Sequence, residues 1–112
     1  KIGGSQTVQA LILLLESESV PVRNLAMDIL REIGHEDLES IINLLKSNNP
    51  DLRIFAADIL GFADSSLPVF PLCEALLKDP EVNVRYQAAV SLGKHGKPEA
   101  ADCLYQALEE DE

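Results

Sequence analysis

Basic residues are scarce in this chain. Lys and Arg number 9 against 19 Asp and Glu, a formal net charge of −10 over 112 residues. Such a surface repels phosphate backbones and anionic lipid headgroups, because it offers few cations to displace their counterions. General binding to nucleic acid or to an anionic membrane is thereby excluded. Cysteine is scarcer still: Cys73 and Cys103 stand alone, which is neither a disulfide framework nor, by itself, a metal cluster. The longest apolar run is Ala10–Leu15, far short of a membrane span, and no signal peptide is visible. Glycine-rich phosphate loops, a Ser-His-Asp order and a Cys-x-x-Cys pair are all missing. No catalytic residue is therefore assigned, and no cofactor or metal is expected.

What the chain does have is a core and a repeat. Hydrophobic residues make up 46% and charged residues 25%, enough apolar surface for one modest folded domain. Three segments superimpose around Arg23, Arg53 and Arg85: VRNLAMDILREIG, LRIFAADILGFAD and VRYQAAVSLGKHG. Steps of 30 and 32 residues separate the arginines. The shared columns are Val22/Leu52/Val84, Ala26/Ala56/Ala88, Met27/Ala57/Ala89, Ile29/Ile59/Ser91 and Leu30/Leu60/Leu92. Their i, i+4, i+7, i+8 spacing is one face of a 3.6-period helix.

A second helical pattern follows each segment, through Leu38/Ile41/Ile42/Leu45, Phe70/Cys73/Leu76/Leu77 and Ala101/Leu104/Ala107/Leu108. A fourth copy, Val8/Leu11/Ile12/Leu15, opens the chain without a first helix before it. Asn49 ahead of Pro50 has the form of an N-cap, and Gly34 and Gly96 stand where left-handed helix ends favour glycine. Each pair has one wide apolar face that it cannot bury alone, so neighbours must stack. The expected fold is all-α: a right-handed α-solenoid of seven helices, about three and a half helix pairs. Its expected divisions are a half repeat at 1–18 and repeats at about 19–48, 49–80 and 81–112. Because Lys1–Gly4 aligns with the tail of a first helix and no Met begins the chain, a piece of a longer protein is expected.

The run D-P-x-V-x-V-R-x-x-A-A-x-x-L-G-x-x-G from Asp79 to Gly96, with P-E-A-A-x-x-L-x-x-A-L from Pro98 to Leu108, resembles the short HEAT-like repeats of phycobilisome lyases. The resemblance runs from about Val8 to Glu109, departing at Arg31 and Asp64. It implies an α-solenoid and is nearly silent on activity, since such repeats serve unrelated roles. It allows two alternatives to a plain scaffold: part of a bilin lyase or isomerase, or a regulatory module attached to an enzyme or signalling protein. The pair His35-Glu36 is of the kind with which HEAT-like deoxyhypusine hydroxylases hold iron. A two-iron site needs several converging pairs, however, and this one lies after a helix end.

The remaining candidates are contacts. Arg23, Arg53 and Arg85, one per repeat, are expected to stitch repeat to repeat by bonding carbonyls or acids of an adjoining turn. Cys73 and Cys103 are expected as small core residues. Phe55 and Phe62 share a flank of the middle first helix. They face either a neighbouring repeat or, as an apolar anchor, a partner. The outward columns of the second helices supply Ile42, Asn43, Glu74, Tyr105 and Gln106. Taken together, the expectation is a non-catalytic protein–protein interaction scaffold, cytoplasmic and prokaryotic. Its partner would be another protein or neighbouring domains of the same chain.

Overall fold

The structure, a computed structural model, describes residues 4–110. Its helices begin where local capping begins them. Ser19 accepts a bond from the Val22 N–H with a proline in the first turn, and Asn49 accepts from Asp51 N–H ahead of Pro50. Asp37 caps a third helix through the Ser40 N–H. The elements are α1 (Gly4–Leu14), α2 (Val20–Ile33), a 3-10 turn (Gly34–Asp37), α3 (Leu38–Leu44), α4 (Pro50–Leu60), α5 (Val69–Lys78), α6 (Val82–His95) and α7 (Pro98–Glu110). Among the described residues there is no strand. Gly4 already belongs to α1; Lys1–Gly3, expected to end a preceding first helix, lie outside the described residues.

The first helices α2, α4 and α6 stack in one row, and each packs against the second helix before it: α1 on α2, α3 on α4, α5 on α6. Second helices α1 and α3, and α5 and α7, also touch. The result is an elongated stack of 46 × 27 × 19 Å, as a solenoid requires. The repeat columns form its spine. Ala26, Ala56 and Ala88 are fully buried, as are Leu30, Leu60 and Leu92, and each of those leucines contributes about 1.5–3 kcal/mol by leaving water. Outward Asn43 is exposed.

Two local expectations change. Gly96 has the left-handed φ of 61° that a helix end favours, but Gly34 is right-handed at φ −57°. Space is tight at Gly34, where a Cβ would lie 3.1 Å from Cγ2 of Ile59 and that side chain would have to shift by a few tenths of an ångström. Phe70, expected within the buried stripe of its helix, points out. The α5 helix buries Cys73 and Leu76 of that stripe together with Val69, Leu72 and Ala75, so its inward face is turned toward Val69 and Leu72 and leaves Phe70 outside.

One column differs in its contacts along the first-helix row. At Gly61 a Cβ would come within 2.5 Å of the Ser91 hydroxyl and 3.1 Å of its Cα, so α4 and α6 meet at a glycine. Ser91 Oγ donates to the Ala57 carbonyl at 2.6 Å across that contact. In α2 the same column holds Arg31, whose guanidinium donates to both carboxylate oxygens of Asp58 in α4.

Candidate functional site

Two grooves run along the second-helix side, one on each flank of α5. Between α3 and α5 lies a groove of about 430 Å³, lined by Ile42, Leu45, Lys46, Phe70, Glu74 and Lys78 among others. Between α5 and α7 lies another of about 520 Å³, where Phe70, Glu74 and Lys78 meet Cys103, Glu99 and Gln106. Phe70, Glu74 and Lys78 follow i, i+4, i+8 spacing and so form one ridge separating the grooves. Phe70 is 72% exposed at its head. This ridge contains the aromatic that sequence reasoning placed in the core.

The structure brings some of the expected contact residues together here. Ile42 lines the first groove, Gln106 the second, and Glu74 both. Gln106 also donates to Glu110 at 3.1 Å. Tyr105 is exposed on α7 and Asn43 on α3, and neither lines these grooves.

The floor of the second groove corrects another expectation. Cys73 and Cys103 are not free core thiols but a disulfide joining α5 to α7, with Cα atoms 5.7 Å apart, inside the range a disulfide can span. Their separation of 30 residues is one repeat, so stacking sets nearly equivalent positions of consecutive second helices side by side.

On the opposite row, the two phenylalanines have different surroundings. Phe55 is half-buried against the core, beside Leu15, Glu16 and Arg23. Phe62 is 47% exposed and lies between cations of two neighbouring first helices. Lys94 Nζ of α6 sits 3.8 Å from its ring centre and Arg31 Cζ of α2 sits 5.6 Å from it. Each such contact is worth about 0.5–1 kcal/mol at an exposed site. Arg31 is itself held by Asp58, at 3.1 and 3.0 Å, and by Asp28 at 3.0 Å. The hydrogen bonds and charge of Asp58 raise its pKa further. Phe62 is thus a bridging ring between repeats with one part of its surface open.

The repeat arginines share one geometry. Arg23, Arg53 and Arg85 each donate through Nη1 to the carbonyl six residues earlier, that of Ser17, Ser47 and Asp79, at 2.7, 2.9 and 2.8 Å. Each guanidinium closes the loop before its own helix. Arg53 does more: its Nε and Nη2 grip both carboxylate oxygens of Asp79 at 2.9 and 3.2 Å, joining α4 to the end of α5 in the loop that leads into α6. The side chains of that pair are only 13% and 7% exposed.

Near the start of the stack, Asp37 accepts from the hydroxyls of Ser40 and Ser5, both at 2.7 Å, and from Gln9 at 3.3 Å. These bonds favour the charged carboxylate, that of Ser40 most, and hold its pKa below the ordinary value. His95 Nε2 lies 2.9 Å from the Leu60 carbonyl in the α4–α6 contact, and His35 is exposed. Among the described residues no three His, Cys, Asp or Glu side chains gather as a metal site, and no helix is long and apolar enough to cross a membrane.

Paired helices stacked in a row, stitched by a repeated arginine and grooved along one side, define an α-solenoid of short helical repeats. A family model of HEAT repeats matches residues 38–112, and the chain belongs to the HEAT-repeat family. No curated protein matches it in sequence. HEAT repeats generally mediate protein–protein interaction.

Proposed function

We propose that the chain is a non-catalytic scaffold that holds a protein partner along the α5 ridge. The observation that carries this reading is Phe70, an aromatic side chain left exposed between two grooves on a rigid pair of disulfide-linked helices. Aromatic anchors flanked by mixed charge are what protein contacts favour, and Glu74, Lys78, Lys46 and Glu99 supply that charge. The net charge of −10 favours a basic partner and speeds encounter at low salt.

The test is affinity capture from the native host with wild type, Phe70→Ser and Phe62→Ser, each shown by circular dichroism to melt normally. A partner lost with Phe70→Ser and kept with Phe62→Ser supports the ridge. Loss with Phe62→Ser alone moves the contact to the first-helix row, and an identical set captured by all three overturns both. The bilin-lyase alternative is tested by visible absorbance on mixing with a linear tetrapyrrole. The regulatory-module alternative is tested by assaying the enzyme or signalling protein joined to this segment, with and without it. The Cys73–Cys103 disulfide weighs against the cytoplasmic expectation, because the cytosol keeps thiols reduced. Alkylation of protein taken directly from cells tests that expectation, a blocked pair of cysteines excluding a reducing compartment.

A further inference from the structure

The Cys73–Cys103 bond ties two consecutive repeats at a place where the stack does not depend on a covalent link. In the same columns the preceding second helices hold Ile41 in α3 and Leu72 in α5, both fully buried. There aliphatic packing alone completes the core. Two thiols are small apolar groups that can fill the same role once the bond is opened.

The sulfurs are reached from one side. Both cysteines line the groove of about 520 Å³ between α5 and α7, Cys73 only 7% exposed and Cys103 half-buried. The α3–α5 groove, with helices of further repeats on both sides of it, opens on the same face, so access belongs to the second-helix row as such. A space of this size suits a small molecule. Its walls carry Glu74 and Glu99 against one lining cation, Lys78, and Gln106 holds the carboxylate of Glu110 at 3.1 Å. The local field is therefore acidic, as is the chain as a whole.

We infer that the α5–α7 groove is a thiol–disulfide exchange site for small cationic thiols, with Cys103 as the sulfur attacked. Access selects Cys103, because Cys73 lies deeper. The thiolate of the reductant forms a bond to Sγ of Cys103 and the Sγ–Sγ bond breaks, Cys73 leaving with the electron pair and taking a proton from water. A second reductant thiolate then attacks the reductant's own sulfur in the mixed disulfide, and Cys103 leaves and is protonated in turn. Two thiols are thereby oxidised to one disulfide, and the protein gains two electrons and two protons. An amine beside the attacking thiol is drawn in by Glu74 and Glu99, whereas an anionic thiol is repelled. Any effect of the bond on partner binding rests on the ridge reading, but the exchange is read on the cysteines and stands apart from it.

The test treats the oxidised protein with cysteamine and, separately, with 2-mercaptoethanesulfonate, without denaturant, at matched thiolate concentrations in low salt. Samples are quenched in acid, alkylated and analysed by mass spectrometry. Reduction is expected to be first order in thiolate with no plateau, at least about fivefold faster with cysteamine, and to lose that preference in high salt. Replacing Glu74→Gln and Glu99→Gln together, at two exposed positions, is expected to remove most of the preference. Unchanged helical circular dichroism after reduction shows that the exchange occurs in folded protein. A rate that plateaus as thiol rises means that reduction waits for unfolding and overturns the site. Equal reactivity of the two thiols in low salt overturns the charge selection, and a mixed disulfide trapped on Cys73 overturns the choice of sulfur.

Discussion

Gly61 and Gly93 occupy the same repeat column and call for opposite outcomes on substitution by alanine. Both have right-handed backbone, so alanine is allowed at each and recovers about 0.5–1 kcal/mol of the entropy that glycine forfeits. At Gly93 nothing opposes that gain. At Gly61 the new methyl would lie 2.5 Å from Ser91 Oγ, 2.8 Å from its Cβ and 3.1 Å from its Cα. Ser91 is fully buried and tied to the Ala57 carbonyl, so it cannot swing aside, and the backbone of α6 must move. Overpacking of this kind costs about 1–3 kcal/mol, and straining the Ser91 bond adds about 1 kcal/mol. Gly61→Ala is therefore expected to destabilise by about 1–3 kcal/mol net and Gly93→Ala to stabilise by up to about 1 kcal/mol. For a domain of this size that is a fall in Tm of about 4–12 °C against a rise of about 2–4 °C. Thermal melting followed by circular dichroism at 222 nm reads both. Shifts of the same sign and size would refute the reasoning that stacking alone separates the two positions.

Three further perturbations follow from the contacts. Asp79→Ala removes the two-pronged partner of a nearly buried guanidinium and is expected to cost about 2–4 kcal/mol in urea denaturation, with Arg53→Lys recovering little of the wild-type value. Reducing the Cys73–Cys103 bond, which closes a loop of 30 residues, is expected to lower stability by about 3.5 kcal/mol, seen as a lower urea midpoint with a phosphine reductant. Asp37, with its folded pKa held below the ordinary 3.8, contributes stability that is fully present above that value. The contribution is lost as pH falls from 3.8 through the depressed value, so Asp37→Asn is expected to flatten the acid limb of stability below pH 4 while leaving its slope near neutrality unchanged.

Much of the architecture is legible along the chain because it is written in local terms. Proline and asparagine or serine at helix starts act within one turn, and the 3.6 period marks which leucines and alanines face inward. The arginine column shows a repeated role, and its carbonyl partner six residues back lies within the same loop. Phe70 is not legible as exposed, because the 3.6 period admits both Val69 and Phe70 at the start of a stripe through Cys73 and Leu76, and only packing selects Val69. The disulfide did leave a signal, a 30-residue cysteine spacing equal to one repeat, but it acquires meaning only once two second helices lie side by side.

The sequence by itself determined the helices, the caps at Asn49 and Gly96, the repeat length and the inward columns of the first helices, since those depend on interactions between residues a few positions apart. Only the tertiary structure decided which equivalent surfaces are covered. Gly61 and Gly93 are indistinguishable as letters in a repeat, yet one lies under Ser91 and the other faces open space. Among the described residues, exposure at this column is set by the helix that stacks against it and not by the residue itself.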